Sequence, residues 1–126
     1  MDKISKNKFM NNLSSLQYKV TQEGATEPPF SHKGFEKDTK VFVCVCCGSK
    51  LFKIENKFES GSGWPSFSSP YSSEVITEHS DDSYGMIRTE VKCRKCNAHL
   101  GHVFEDGPEP TGLRYCINGV AIDGKK

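Results

Sequence analysis

From Lys40 to the end of the chain, short apolar runs alternate with clusters of Gly, Ser, Asn and Pro. Runs rich in Val, Ile, Phe and Tyr that are bounded by turn residues are typical of strands. Seven strands are predicted: Val41–Val45, Leu51–Ile54, Glu74–Glu78, Met86–Lys92, His99–Phe104, Leu113–Ile117 and Val120–Ile122. No amphipathic stretch of helix length separates them, which excludes a parallel sheet. The pattern predicts a mainly β fold, either two small packed antiparallel sheets or a partly open barrel.

One helix is predicted ahead of the strands. The segment Ser14-Ser15-Leu16-Gln17 has the form of a capping box, in which the first and last side chains cap the helix reciprocally. We therefore expect a short helix at about residues 15–22, ended by Gly24. Upstream, Ile4–Met10 could form a frayed helical turn, although nothing caps it. Residues 1–12 are expected to be a loosely ordered N-terminal segment.

Turn and loop signals frame the predicted strands. Glu27-Pro28-Pro29-Phe30 is expected to be extended, because each proline fixes φ and disfavours α geometry in the residue before it. Asn118-Gly119 is a two-residue hairpin signal between the last two strands. Two irregular loops, Ser60–Tyr71 and Asp106–Gly112, are dense in Gly, Pro and Ser. Loops on a rigid sheet are where functional sites usually lie.

The 126 residues suffice for one domain, which we expect to span residues 1–126 with a modest core, since only 35% are hydrophobic. The 17 Lys and Arg against 16 Asp and Glu give a net charge of +1, which disfavours binding to nucleic acid or to an anionic membrane surface. The longest apolar run, Val41–Cys47, is far shorter than the roughly 20 residues of a membrane helix. Because Met1–Asn12 lacks the apolar centre of a secretory signal, a cytoplasmic protein is expected.

Four of the six cysteines form two Cys-x-x-Cys pairs, Cys44 with Cys47 and Cys93 with Cys96. Each pair is followed by Gly or Asn and then by a leucine four positions after its second cysteine, so the two segments form an internal half-repeat. Four thiolates suit tetrahedral Zn²⁺, and a site with four protein ligands is structural because no position stays open for a substrate. One zinc per chain is favoured over the alternatives, two disulfides or free buried thiols.

Cys46 and Cys116 remain outside those pairs. Arg114 lies two residues before Cys116 and therefore on the same side of the predicted strand, and a neighbouring cation favours the thiolate. The alternative is a strand cysteine that packs as a small hydrophobe. Cys46 is expected to be a bystander thiol, or at most a substitute ligand.

Several further segments follow one another along the chain: Thr26–Phe30, Gly61–Phe67, Arg88–Val91, His99–Phe104, Asp106–Pro108 and Arg114–Asn118. Together with the two cysteine pairs they resemble the signature segments of the methionine sulfoxide reductase B family, the peptide-methionine (R)-S-oxide reductases. The resemblance runs from about Leu13 to Asn118, nearly the whole chain. It implies a mostly β domain of two antiparallel sheets with a structural zinc distant from the active site.

The resemblance also implies an enzyme that reduces the R epimer of methionine sulfoxide, free or in proteins, and so repairs oxidised proteins. An external thiol, thioredoxin or a small thiol, would be the reductant. A sulfoxide sulfur is attacked only if its oxygen is protonated as the S–O bond breaks, so the site needs a thiolate, an acid and an apolar wall. The expected catalytic residues are Cys116 as nucleophile, His102 as proton donor with His99 nearby, Arg114 to lower the thiol pKa, Asn118 to hydrogen-bond the oxygen or a water, and Asp106 to orient a histidine.

Trp64 is the only tryptophan and lies in a Gly/Ser/Pro loop. A flat indole suits the S-methyl group of the substrate, because sulfur–aromatic contacts are favourable. The alternative is a loop anchor that packs into the core. Phe67 is expected to close the same wall.

Ser62 departs from the family pattern, since many members carry a second, resolving cysteine at this position. A serine cannot attack a sulfenic acid to form a disulfide, so we expect an external thiol to reduce the Cys116 sulfenic acid directly. The competing functional class is a non-enzymatic zinc-ribbon module that binds nucleic acid or protein, which the cysteine pairs alone would permit. The near-neutral charge argues against nucleic acid.

Overall fold

This computed structural model describes residues 13–32, 34–82 and 85–126, which form one α-helix and nine strands joined by turns and loops. Helix α1 spans Ser15–Glu23. The strands are β1 Val41–Cys44, β2 Lys50–Lys53, β3 Lys57–Phe58, β4 Ser66–Phe67, β5 Ile76–Asp81, β6 Arg88–Cys93, β7 His99–Phe104, β8 Arg114–Ile117 and β9 Ile122–Lys125. The expectations for Ile4–Met10 and for residues 1–12 lie outside the described residues.

Helix α1 begins and ends at the predicted caps. The Ser14 hydroxyl accepts the Gln17 backbone N–H at 3.1 Å, and the Gln17 side chain accepts the Ser14 backbone N–H at 2.7 Å, which completes the capping box. Gly24 ends the helix in the left-handed conformation, at φ 73°. Val20 on the buried face of α1 belongs to the hydrophobic core. No helix among the described residues is long and apolar enough to cross a membrane.

The strands form two antiparallel sheets, so the two-sheet prediction is confirmed over the partly open barrel. The smaller sheet has the order β2-β1-β9 and the larger has the order β3-β4-β8-β7-β6-β5. All seven predicted strands overlap observed ones, although Val120–Ile122 does so only at Ile122. β3 and β4 have no signal in the sequence pattern, because a two-residue strand is too short to show alternation.

The hairpin predicted at Asn118-Gly119 is wrong. Strands β8 and β9 belong to different sheets, and a 3₁₀ turn at Gly119–Ala121 carries the chain from one sheet to the other. The backbone N–H groups of Gly119 and Val120 donate to the buried carboxylate of Glu27, at 2.8 and 3.1 Å. Since this acceptor lies far earlier in the chain, the local turn signal is overridden by a tertiary contact.

The larger sheet has a core face and a polar face. Along β8, Tyr115 and Ile117 are buried in the core, whereas Arg114 and Cys116 are half-buried and face the other side. His102 of β7 lies directly opposite Cys116. The strand register therefore gathers reactive side chains from neighbouring strands on one face.

Candidate active site and metal centre

Four cysteines meet where the two sheets are joined: Cys44, Cys47, Cys93 and Cys96. The first two lie at the turn after β1 of the smaller sheet, and the other two at the turn after β6 of the larger sheet. Each turn contains one residue with positive φ, Gly48 at 78° and Asn97 at 65°. The four Sγ atoms lie within 4.8 Å of one another.

The spacing of these sulfur atoms fits a metal ion. The Sγ atoms of Cys44 and Cys96 are 3.6 Å apart, as are those of Cys47 and Cys93. A disulfide would require about 2.05 Å, and all of the cysteines are free. Thiolates about 2.3 Å from a tetrahedral Zn²⁺ stand about 3.8 Å from one another. The buried cluster is therefore compatible with a metal site that cross-links the two sheets.

Cys46 is not part of this four-sulfur cluster, although it lies in the same turn. It is fully buried, and its Sγ accepts a hydrogen bond from Gln22 Nε2 at 3.3 Å. Its backbone N–H donates to Cys44 Sγ at 3.4 Å. These contacts link α1 to the cysteine turn.

A cavity of about 320 Å³ opens on the polar face of the larger sheet. Its size is at the lower end of the range for small-molecule pockets. It is lined by Thr26, Ser62, Trp64, Arg88, Gly101, His102, Phe104, Arg114, Cys116 and Asn118. The structure thus brings together five predicted site residues, Trp64, His102, Arg114, Cys116 and Asn118, and leaves His99, Asp106 and Phe67 outside the lining.

Among the six cysteines, all of which lie in the described residues, Cys116 alone is not buried. The Ser62 hydroxyl lies 4.0 Å from its Sγ. Burial raises the pKa of the Cys116 thiol, while the Ser62 hydroxyl and the Arg114 guanidinium act in the opposite direction. The Arg114 guanidinium thus acts in the direction expected from the sequence, but burial outweighs it.

The imidazole of His102 pairs with a carboxylate that the sequence does not indicate. His102 Nε2 lies 2.8 Å from Asp81 Oδ2, at the end of β5. The same oxygen is 3.5 Å from Arg88, the residue opposite Asp81 in the β5–β6 hairpin. Asp81 thereby restricts the orientation of the His102 ring in the cavity wall.

His99 lies beside His102 but outside the cavity lining. Its Nδ1 is 2.6 Å from Glu90 Oε2, and the two imidazole centroids are 5.5 Å apart. Burial lowers the pKa of His99, although Glu90 acts in the opposite direction. This position suits support of the His102 ring more than contact with a substrate.

The prediction that Asp106 orients a histidine is wrong. Its two carboxylate oxygens accept hydrogen bonds from Arg114, at 2.8 Å from Nε and 3.2 Å from Nη2. This bidentate pair lowers the pKa of Asp106 and raises that of Arg114. The guanidinium also stacks on Phe104, with 4.5 Å from Cζ to the ring centroid. Asp106 therefore contacts Arg114, and the carboxylate that contacts His102 belongs to Asp81.

Trp64 lines the cavity and is also anchored. Its Nε1–H donates to the backbone carbonyl of Glu27 at 2.9 Å. The same indole therefore anchors its loop and forms part of the cavity wall. Asn118 borders the cavity, but its Oδ1 accepts the Glu27 backbone N–H and its Nδ2 donates to the Leu100 carbonyl, both at 3.0 Å. One N–H of the Asn118 amide is left for a ligand or a water.

The prediction that Phe67 closes the cavity wall is wrong. Ser66 lies opposite Cys116, so the next residue of β4 faces the core side of the sheet. Phe67 is fully buried and stacks on Phe52, with 4.3 Å between ring centroids. Phe104 supplies the second aromatic surface of the cavity instead.

Thr26, Arg88, Gly101 and Phe104 line the cavity although the sequence analysis assigned them no role. The alternation of β6 was an available signal, because it puts Arg88 and Glu90 on one face. At Gly101, a Cβ atom would lie 2.0 Å from the Cys116 carbonyl oxygen, so glycine lets β7 and β8 approach closely. Asp81 had no comparable signal, since its contact with His102 depends on the strand order.

Comparisons with known proteins agree with this geometry. The SelR domain family matches residues 13–126. The peptide methionine sulfoxide reductase MsrB of Hahella chejuensis is 51% identical over 125 residues, which cover 97% of this chain and 90% of the relative. The proteins of the same name from Thioalkalivibrio sulfidiphilus and Acinetobacter baylyi are 50% identical over 123 residues and 47% identical over 128 residues. They cover 97% and 99% of this chain, and 90% and 92% of the relatives. The chain belongs to the SelR domain family, and the resemblance of its motifs to the methionine sulfoxide reductase B family is confirmed.

Proposed function

We propose that this protein reduces the R epimer of methionine sulfoxide, free or in proteins, with Cys116 as the nucleophile. The similar proteins carry the name peptide methionine sulfoxide reductase MsrB. The observation that carries the proposal is the proximity of a thiol, an imidazole and an indole around one cavity, supplied by Cys116, His102 and Trp64. The alternative, a non-enzymatic zinc-ribbon binding module, gives no reason for this cavity.

In the reductive step, the Cys116 thiolate attacks the sulfoxide sulfur while His102 gives a proton to the oxygen. A bond forms between the two sulfur atoms as the S–O bond breaks and the protonated oxygen leaves as hydroxide. Hydroxide or water then attacks the Cys116 sulfur and breaks the S–S bond. The substrate sulfur leaves with the electron pair as the thioether of methionine, and Cys116, which has lost two electrons, remains as a sulfenic acid. Arg114 assists by favouring the thiolate that burial disfavours.

Epimer choice follows from the handedness of the cavity. With the S-methyl group against Trp64 and the oxygen towards His102, only one epimer presents its sulfur to Cys116. The other epimer of methionine sulfoxide requires another enzyme.

An external thiol then reduces the sulfenic acid. Ser62, although 4.0 Å from the Cys116 sulfur, cannot form a disulfide, and Cys46 is fully buried beside the cysteine cluster. One thiol condenses with the sulfenic acid to release water and form a mixed disulfide, and a second thiol displaces Cys116. Thioredoxin or a small thiol fills this role.

The four-cysteine cluster would hold one structural zinc per chain through Cys44, Cys47, Cys93 and Cys96. The ion would cross-link the two sheets of a single domain spanning residues 1–126, and four protein ligands exclude substrate from its coordination shell. Free cysteines suit a reducing compartment, so we assign the protein to the cytoplasm, where it repairs methionine oxidised under oxidative stress.

Turnover of the two separated epimers with dithiothreitol tests the proposal. We expect consumption of the R epimer alone, a loss of about 10²- to 10⁴-fold in kcat/KM for His102→Ala, and a smaller loss for Trp64→Ala. Equal consumption of both epimers would contradict the cavity geometry. Full activity of Cys116→Ser would overturn the function itself.

A further inference from the structure

Asp81 lies at the end of β5, two strands away from the strand that carries His102. Its carboxylate nevertheless contacts His102 Nε2 at 2.8 Å, across β6. The Asp81 side chain is 21% exposed and that of His102 is 11% exposed, so the contact is largely shielded from water. A charged hydrogen bond in such a position is stronger than one on an open surface.

The Asp81 contact decides which imidazole nitrogen can act on a substrate. An ionised carboxylate only accepts hydrogen bonds, so Nε2 of His102 carries a hydrogen directed at Asp81. Nδ1 is then the nitrogen left for a substrate, and it can deliver a proton only from an imidazolium ring.

Other charged or titratable groups surround the His102 ring. They are Asp81 from β5, Arg88 and Glu90 from β6, His99 from β7, and Arg114 and Cys116 from β8. Helix α1 also packs against β7, and its buried residues, Val20 and Thr21, are uncharged. Glu90 is engaged by His99 and Asp106 by Arg114, so Asp81 is the carboxylate within hydrogen-bond distance of His102.

We propose that Asp81 is a positioning residue for the reduction, which orients His102 through Nε2 and leaves Nδ1 for the substrate. This inference rests on the proposed function, because it assigns His102 as the proton donor. Arg88, 3.5 Å from the same carboxylate oxygen, helps to hold the Asp81 side chain in place. The working unit is therefore a chain of three side chains, Arg88, Asp81 and His102, that ends at the cavity.

Asp81→Asn tests this assignment because it retains a side chain of the same size and removes the charge. We expect a loss of about 10²-fold in kcat/KM with dithiothreitol and the R epimer, mostly in kcat. Asp82→Asn is the matched control, since the exposed neighbouring carboxylate is removed with no change in kcat or KM.

A double variant separates positioning from a general structural effect. If Asp81 acts through His102, then Asp81→Asn costs nothing further in a His102→Ala background, whereas a structural effect costs the same factor in both backgrounds. Thermal unfolding of each variant identifies any loss of folded protein. An additive loss, or a loss confined to KM, would overturn the role of Asp81. Failure of the wild-type protein to consume the R epimer would instead refute the proposed function.

Discussion

The cysteine cluster and the Cys116 cavity use the same side chain for different purposes. In the cluster, four buried thiols converge within 4.8 Å of one another at two turns. In the cavity, one half-buried thiol lies at the middle of a strand, and its neighbours are a hydroxyl, a guanidinium and an imidazole. The thiols of the cluster face one another and could share one metal ion. Cys116 instead faces an open cavity, beside side chains that can donate or accept a proton.

The comparison shows that the neighbours of a thiol, and not its burial alone, separate structural from reactive cysteine. Cys116 is itself raised in pKa by burial, which on its own would make it inert. Access through the cavity and the opposing influence of Arg114 and Ser62 distinguish it from the other five cysteines.

The largest expected effect is at Cys116. Cys116→Ser should lower turnover by roughly 10⁴-fold or more, because the nucleophile of the reaction is removed. Its midpoint of thermal unfolding should stay close to that of the wild type, since the side chain is replaced by one of similar size on a partly exposed position. Steady-state kinetics and thermal unfolding, measured on one preparation, check both halves of this prediction.

Cys44→Ser should have the opposite profile. We expect about one equivalent of zinc in the wild-type protein, and in the variant a loss of metal with a decrease of about 4 kcal/mol or more in the free energy of unfolding. Metal analysis and denaturant unfolding measure these quantities. A variant as stable as the wild type but without turnover would break the distinction between the two cysteine environments.

Arg114 offers a graded test of the reactive environment. Arg114→Ala removes a cation that favours the thiolate, so the pKa of Cys116 should rise further and its alkylation by iodoacetamide at neutral pH should slow about tenfold per pKa unit. The alkylation rate of wild-type Cys116 should increase up to alkaline pH, because burial raises its pKa. Arg114→Lys, which keeps the charge, should lie between the two. If the pH profile of alkylation is unchanged in Arg114→Ala, Arg114 does not influence the pKa of Cys116.

The smallest expected effect is a difference of one in the number of free thiols lost on oxidation. Wild-type protein given one equivalent of substrate without reductant should lose one free thiol and form a sulfenic acid that dimedone traps. Ser62→Cys should lose two thiols, because its sulfur would lie within reach of Cys116. Cys46→Ser should behave as the wild type. A Cys46–Cys116 disulfide, found by mass spectrometry, would show that the two environments exchange electrons directly.

Elements that depend on residues close together in the chain could be predicted well from the sequence. The capping box at Ser14 and Gln17 is a contact between residues three positions apart, and it is present as predicted. The strand His99–Phe104 has the predicted bounds. Phe67 shows where this approach fails, because the face of a two-residue strand depends on its pairing with β8.

The sequence by itself determined the four-cysteine cluster, the mainly β pattern and the likeness that singles out Cys116, His102 and Trp64. Cys-x-x-Cys spacing and strand alternation extend over only a few residues, so they can be recognised without knowledge of the fold. Only the tertiary structure decided which carboxylate meets which side chain: Asp81 with His102, Asp106 with Arg114, and Glu27 with the turn after β8. The physical reason is that these partners meet through strand order, register and chain packing, and no short-range pattern records those relations.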